Sequence, residues 1–256
     1  MKNIFKISAL LVLMSLFVVA CEDVKVDDPQ EDTEAIEDNA LAAASVRDVF
    51  ASVNDGTNSG GGKTLADCPQ VLYVVETKTL TIDYGTGCQD DPIARKGLIT
   101  VVFSGTVRGW ENDETATISF TDYYIGDVKF EGNISITCND VETSSFGIVA
   151  QNMVLTFPNE QTIKWSSNET IARDQTYQTA GYWRYNGGTT GTCTLRNGET
   201  FSRTSTNLLS SPACKWFIDG SFSMTIGDNV TVLTFSETCG TVKIKRNNLP
   251  EFEVTL

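Results

Sequence analysis

From Cys68 onward, apolar and polar residues alternate with a period of two. In VKFEGNISIT, Val128, Phe130, Ile134 and Ile136 fall on one face, and Lys129, Glu131, Asn133, Ser135 and Thr137 on the other. The same alternation runs through Leu80/Ile82/Tyr84, Ala116/Ile118/Phe120, Phe222/Met224/Ile226, Val242/Ile244 and Phe252/Val254/Leu256. Apolar residues alternating with polar ones predict antiparallel strands with one wet face. Turn signals separate them at Asn112-Asp113, Gly126-Asp127, Asn186-Gly187, Asn197-Gly198 and Gly227-Asp228; Asn197-Gly198 suits a two-residue hairpin turn. About a dozen strands result, and a sheet that wide must curl, close or split. The expected fold is all-β: a large antiparallel meander curled into a partial barrel or a two-layer sandwich, behind one N-terminal amphipathic helix.

That helix is predicted over 35–53. Ala42, Val46, Val49, Phe50 and Val53 recur at i, i+4, i+7, i+8 and i+11, which is one helix face. Asp55-Gly56 is expected to stop it, and 54–66 reads as a Gly/Ser-rich connector to a β domain over 67–256. The stripe should dock on the sheet through Val46, Val49, Phe50 and Val53, leaving Arg47 on the solvent side.

The first residues follow a different pattern. Lys2 and Lys6 precede an apolar run from Ile7 to Ala20, and Cys21 follows. This is the layout of a secretory signal peptide, too short for a good membrane span. Cys21 looks like the lipidated cysteine of a bacterial lipoprotein, so 1–20 reads as the leader and Cys21 as the membrane anchor. Loss of 1–20 moves the formal net charge from −14 to −16. Nine acids against Lys25 crowd Glu22 to Asp38, and such a block repels itself and stays solvated. Residues 21–34 are therefore read as an acidic tether. Acids just after a lipidated cysteine resemble the surface-export signals of Bacteroidota lipoproteins. The implied address is the cell envelope, as an outer-membrane and surface-exposed lipoprotein. The acidity argues against nucleic acid, which needs a basic footprint.

Six cysteines besides Cys21 in an oxidising compartment read as disulfides. Cys68 with Cys88, and Cys214 with Cys239, bracket candidate hairpins, which leaves Cys138 with Cys193 by elimination. The two bracketed segments also share a layout of cysteine, strand, turn, strand and cysteine, a faint internal repeat. Zinc is a weak rival, since the chain has no histidine and no C-x-x-C pair.

The helix DNALAAASVRDVF and the stretches DCPQV, TLTIDYGTGC, ARKGLITVVFSG, FTDYYIGDVKFEGN and SPACKWFIDGSFSMTI give the chain a resemblance to a family of envelope lipoproteins of Flavobacterium-type Bacteroidota. The resemblance spans most of the chain after Cys21. It implies an envelope address and supports the strands and disulfides; no activity is established for that family, so it implies no catalytic residues.

The absence of histidine excludes Ser-His-Asp, Cys-His and His-metal chemistry. Carboxylate hydrolysis needs two facing acids, and the spacing of Asp83, Asp90, Asp91, Glu131, Asp140 and Glu142 selects no pair. Ser59-Gly60-Gly61-Gly62-Lys63-Thr64 lacks the first glycine of a phosphate loop, since Thr57 stands there, and lacks its strand and helix context. Gln89-Asp90-Asp91 is not a calcium loop. No motif implies a cofactor. Tyr182-Trp183-Arg184-Tyr185 is the most suggestive patch. On a strand, Tyr182 and Arg184 face one way and Trp183 and Tyr185 the other, so one pair is core and the other is offered to a glycan, lipid or protein ligand. The reading is a non-enzymatic binding or structural module. Its rivals are a carrier holding a hydrophobic ligand inside the curled sheet and a carboxylate-dependent hydrolase.

Overall fold

The computed structural model describes residues 29–58, 68–89, 91, 93–105, 110–177 and 181–255. Cys21, the leader, most of the proposed tether and connector residues 59–66 lie outside the described residues. One helix, α1 (Pro29–Asn58), is followed by fourteen strands. They are β1 (Gln70–Val74), β2 (Thr79–Gly85), β3 (Arg95–Phe103), β4 (Thr115–Ile125), β5 (Val128–Asp140), β6 (Ser145–Thr156) and β7 (Thr162–Arg173). Then come β8 (Trp183–Thr189), β9 (Cys193–Thr194), β10 (Thr200–Ser211), β11 (Cys214–Ile226), β12 (Asn229–Phe235), β13 (Thr241–Arg246) and β14 (Phe252–Thr255). All pair antiparallel in one sheet that follows chain order, except that short β9 bridges β7 and β10. The sheet curls into a ring, but β1 and β14 do not pair, so the ring is not a closed barrel.

Recurrent bulges break the alternation. On β4, Ala116 and Ile118 point inward; an extra residue, Asp122, takes a left-handed φ of 45°, and Tyr123 then becomes the inward residue. The same insertion occurs at Asn152 on β6 and Asn207 on β10, which turns Met153 and Leu208 inward. An extra residue bends its strand and increases the local twist. Across from Asp122 stands Gly97, where a Cβ would lie 2.8 Å from the Tyr123 Cα and closer still to the Asp122 carbonyl. Only glycine lets the bulge close, and so lets the sheet curl at that point.

The helix fills the ring. Val46, Val49, Phe50 and Val53 are buried as the stripe requires, but so are Ala40, Ala44, Ser45 and Ser52 on other faces. Its neighbours come from around the ring: Tyr84 on β2, Arg95 on β3, Tyr123 on β4, Phe146 on β6, Trp183 on β8, Arg203 on β10 and Phe217 on β11. The expectation of one docked face is corrected accordingly. Arg47 is only 9% exposed, with its guanidinium 5.5 Å from the Phe217 ring centre, and is not a solvent-side residue.

The helix limits also differ from 35–53. Pro29 begins α1, a position where its missing N–H costs nothing. Arg196 pairs with Glu34 and Asp38 at 3.2 Å and 2.6 Å; Asp38 is buried, out of the expected solvated block, while Glu34 stays exposed. At the other end Gly56 does not stop the helix. It brings the backbone against Leu80 and Ile82, where a Cβ would sit 3.1–3.2 Å from their side chains.

Cys68–Cys88 and Cys214–Cys239 form disulfides, with Cα atoms 5.5 Å and 5.6 Å apart. They staple the β1–β2 and β11–β12 hairpins, each by about 3 kcal/mol in the chain-entropy model. The third pairing does not form: Cys138 and Cys193 are buried free thiols. Two strands separate them, and their registers differ. Cys138 is level with Phe146 and through it Ile171, whereas Thr194, next to Cys193, pairs with Lys164. That stretch of β7 alone spans about 20 Å, far beyond the roughly 7 Å between Cα atoms that a disulfide tolerates. The Cys193 thiol instead lies 3.8 Å from the carbonyls of Ser166 and Thr190.

Candidate functional site

A cleft of about 710 Å³ opens beside the helix, within the size range of small-molecule sites. Its floor is a helix stripe of Arg47, Asp48, Ala51, Asn54 and Asp55. Its walls come from Ile93 and Arg95, from Trp110 before β4, from Ser144 and Phe146 at the start of β6, and from strand ends on β7, β8 and β10.

Strand register sets one wall. Alternation along β7 turns Ile163, Trp165, Ser167, Glu169 and Ile171 inward, so Arg173 at the strand end also belongs to the inward set. Arg173 is paired across the strands with Trp183, and Trp183 with Ser210. The Arg173 N–H donates to the Ser144 carbonyl at 3.1 Å. Ser144, Arg173, Trp183 and Ser210 thus form one lateral row over four neighbouring segments, all lining the cleft. Directly opposed side chains on one face stand about 5 Å apart at Cβ.

Aromatic residues support that row. Phe50 of the helix packs edge-on against Trp183 and Phe146, at 5.0 Å and 5.3 Å between ring centres, and Trp110 meets Phe146 at 5.2 Å. Tyr185 is 2% exposed and lines the cleft beside Trp183. The Trp110 indole Nε1 is buried without a hydrogen-bond partner among the described residues. Burial holds the Tyr185 phenol above its ordinary pKa.

On the opposite side Arg95 organises a charged cluster. It makes a two-pronged contact with Asp91, Nε to Oδ2 at 2.8 Å and Nη2 to Oδ1 at 3.0 Å, and reaches Ser52 at 2.9 Å and Asp48 at 3.3 Å. Its guanidinium lies 4.8 Å from the Tyr84 ring centre. Tyr123 donates its phenol hydrogen to Asp48 at 3.3 Å. Burial raises the Asp48 carboxyl above its usual range, against the pull of Arg95 and Arg47. Burial would also raise Asp91, but hydrogen bonds from Arg95 and the Ile93 N–H outweigh it and leave that carboxyl lowered. Burial disfavours the charged form of Arg95, yet Asp91 and Asp48 hold its pKa raised.

The expected ligand residues divide as alternation requires. Trp183 and Tyr185 face in and line the cleft. Tyr182 and Arg184 face out and are engaged. Tyr182 stacks on Tyr177 with ring centres 4.1 Å apart, and Arg184 bridges Asp174 and Asp219 at 2.7 Å each. Of the acids considered for hydrolysis, none lines the cleft. Asp83 and Asp140 cap local turns, Glu131 pairs with Lys129, Asp91 holds Arg95, and Asp90 lies outside the described residues. Sequence reasoning missed Arg173, Trp110 and the helix stripe. The parity of Ile163, Trp165, Ile171 and Arg173 is a readable signal for the first. Comparison of the chain with protein-family models, curated proteins and solved structures found no match.

Proposed function

We propose that the chain is a membrane-anchored lipoprotein of the cell envelope that acts as a non-enzymatic binding module, taking a small, polar, ring-bearing ligand into the cleft beside α1. The observation that carries this is the row Ser144–Arg173–Trp183–Ser210, with hydroxyl, guanidinium and indole groups side by side in a concave site. A few convergent polar groups set among aromatic walls are the usual make-up of a ligand pocket. The carrier reading is weaker, because the helix occupies the space inside the ring where a lipid chain would go. The hydrolase reading lacks a facing pair of acids. Asp48 and Asp55 are the carboxylates of the cleft lining, and Asp48 is engaged by Arg95 and Tyr123.

Two experiments test the proposal. The full chain is screened on glycan and small-molecule arrays, then with Trp110→Ala. Binding that weakens in the variant supports the cleft, and a silent array removes the binding reading. Cys21→Ala is expected to leave the membrane fraction or to block processing, since stable attachment needs more than one acyl chain. Unchanged membrane partition would overturn the anchor.

A further inference from the structure

Resting on the reading of the cleft as a ligand site, we infer that its ligand is a saccharide bearing a carboxylate, a uronic-acid-type sugar whose acid group is held by Arg173 while its ring lies against Trp183 and Trp110. Arg173 differs from the other arginines of the ring. Arg95, Arg184, Arg196 and Arg203 each hold a carboxylate of the chain. The Arg173 side chain forms no ion pair or hydrogen bond among the described residues, although its strand register turns it into the cleft. A half-buried guanidinium without a partner is a recognition group for a planar anion, because its fork of donors matches a carboxylate at two points.

Charge points the same way. The chain carries 33 acids against 19 bases, yet the cleft lining reverses the balance, with Arg47, Arg95 and Arg173 against Asp48 and Asp55. Asp48 is already engaged by Arg95. The site is therefore locally receptive to an anion in a protein that otherwise repels one. The body of the ligand follows from the rest of the lining. Indole surfaces suit the apolar face of a sugar ring. The hydroxyls of Ser144, Ser210 and Ser211 suit its hydroxyl groups. A wholly apolar acid would leave those polar groups desolvated without partners.

The test is titration calorimetry of the full chain with a trigalacturonate and with a neutral galactose trisaccharide. The trigalacturonate is expected to bind, and the neutral sugar to bind at least about tenfold more weakly, the scale of one charge-assisted contact. Arg173→Ala should remove that preference, Arg173→Lys should restore part of it, and Arg184→Ala on the outer face should change nothing. Equal affinity for the two sugars, or an unchanged preference in Arg173→Ala, overturns the anionic ligand while leaving the cleft a sugar site. Loss of all binding in Trp110→Ala together with a persistent preference in Arg173→Ala would also overturn it. Failure of both sugars to bind overturns the inference, and the arrays then decide whether the binding reading survives with another ligand.

Discussion

Two arginine clasps hold the helix to the ring, and they differ in their access to water. Arg203 on β10 reaches Glu169 on β7 at 2.7 Å, and the carbonyl and side-chain oxygens of Asn39 at 3.3 Å and 3.2 Å. Its side chain is 0% exposed and that of Glu169 5%. Arg95 on β3 grips Asp91, Asp48 and Ser52 with similar chemistry, but its side chain is 17% exposed and it lines the cleft. In the closed clasp both charges have been stripped of water, so each survives only because the other is present. In the open clasp water can replace a lost partner. The same residue type therefore serves as fixed architecture in one place and as part of an adaptable, ligand-facing wall in the other.

The comparison predicts unequal costs. Arg203→Met leaves Glu169 buried without compensation and should lower stability by about 3–5 kcal/mol, read by urea denaturation. Arg203→Met with Glu169→Leu should recover most of that loss, since an apolar pair can replace a buried ion pair at little cost. Failure of the double change to recover would mean that the Asn39 contacts, not the charge pair, hold the clasp. Arg95→Ala should cost less, about 1–3 kcal/mol, because Arg95 borders the cleft and its removal lets water in to Asp91. A cost equal to that of Arg203→Met would erase the distinction between the clasps.

The open clasp should also register pH. Asp48 titrates above its ordinary 3.8 when folded. Over the window from about 3.8 up to its folded value, the folded state keeps a proton that the unfolded chain has released, so its contribution to stability falls as pH rises. Asp91 is lowered from 3.8, so its contribution is present above 3.8 and is lost as pH falls through the folded value. Asp48→Asn should therefore gain stability relative to the parent as pH rises through the first window. Parallel curves for the two proteins would show that Asp48 titrates normally.

The smallest effect concerns the two thiols. Cys193 pairs across from Phe201, two residues from Arg203, and is buried. Alkylation of the native protein should be slow at both Cys193 and Cys138. Arg203→Met should speed it at Cys193, whereas Arg95→Ala should leave it unchanged. Equal acceleration by both variants would mean that the ring opens as one unit. In denaturant, two thiols besides Cys21 should react; none reacting would restore the Cys138–Cys193 bridge.

Much of the ring could be read from the chain, because a half-buried strand writes its two faces into alternate residues. The inward set of β5, the split of Trp183/Tyr185 from Tyr182/Arg184, and the two hairpin staples all followed from spacing. The bulges were less legible. Asp122, Asn152 and Asn207 sit within strands where such residues are unusual, and their tolerance of left-handed φ was the available signal. The Cys138–Cys193 pairing failed because elimination treats cysteines as interchangeable, whereas register fixes where each one stands.

What the sequence determined by itself was local: strand period, turn positions, hairpin closure and one apolar helix stripe. These depend on neighbours a few residues apart, so pattern alone carries them. What only the tertiary structure decided was the enclosure of the helix. A stripe of Val46, Val49, Phe50 and Val53 accounts for one buried face. The burial of Arg47, Asp48 and Ser52 on other faces depends on strands over a hundred residues apart in sequence, from Tyr84 and Arg95 to Phe217. A polar residue reads as solvent-facing until its partner is brought to it, and only the curl of the sheet brings those partners in. The cleft has the same origin, since Arg173, Trp110 and Asp48 become one surface only when the sheet curls around the helix.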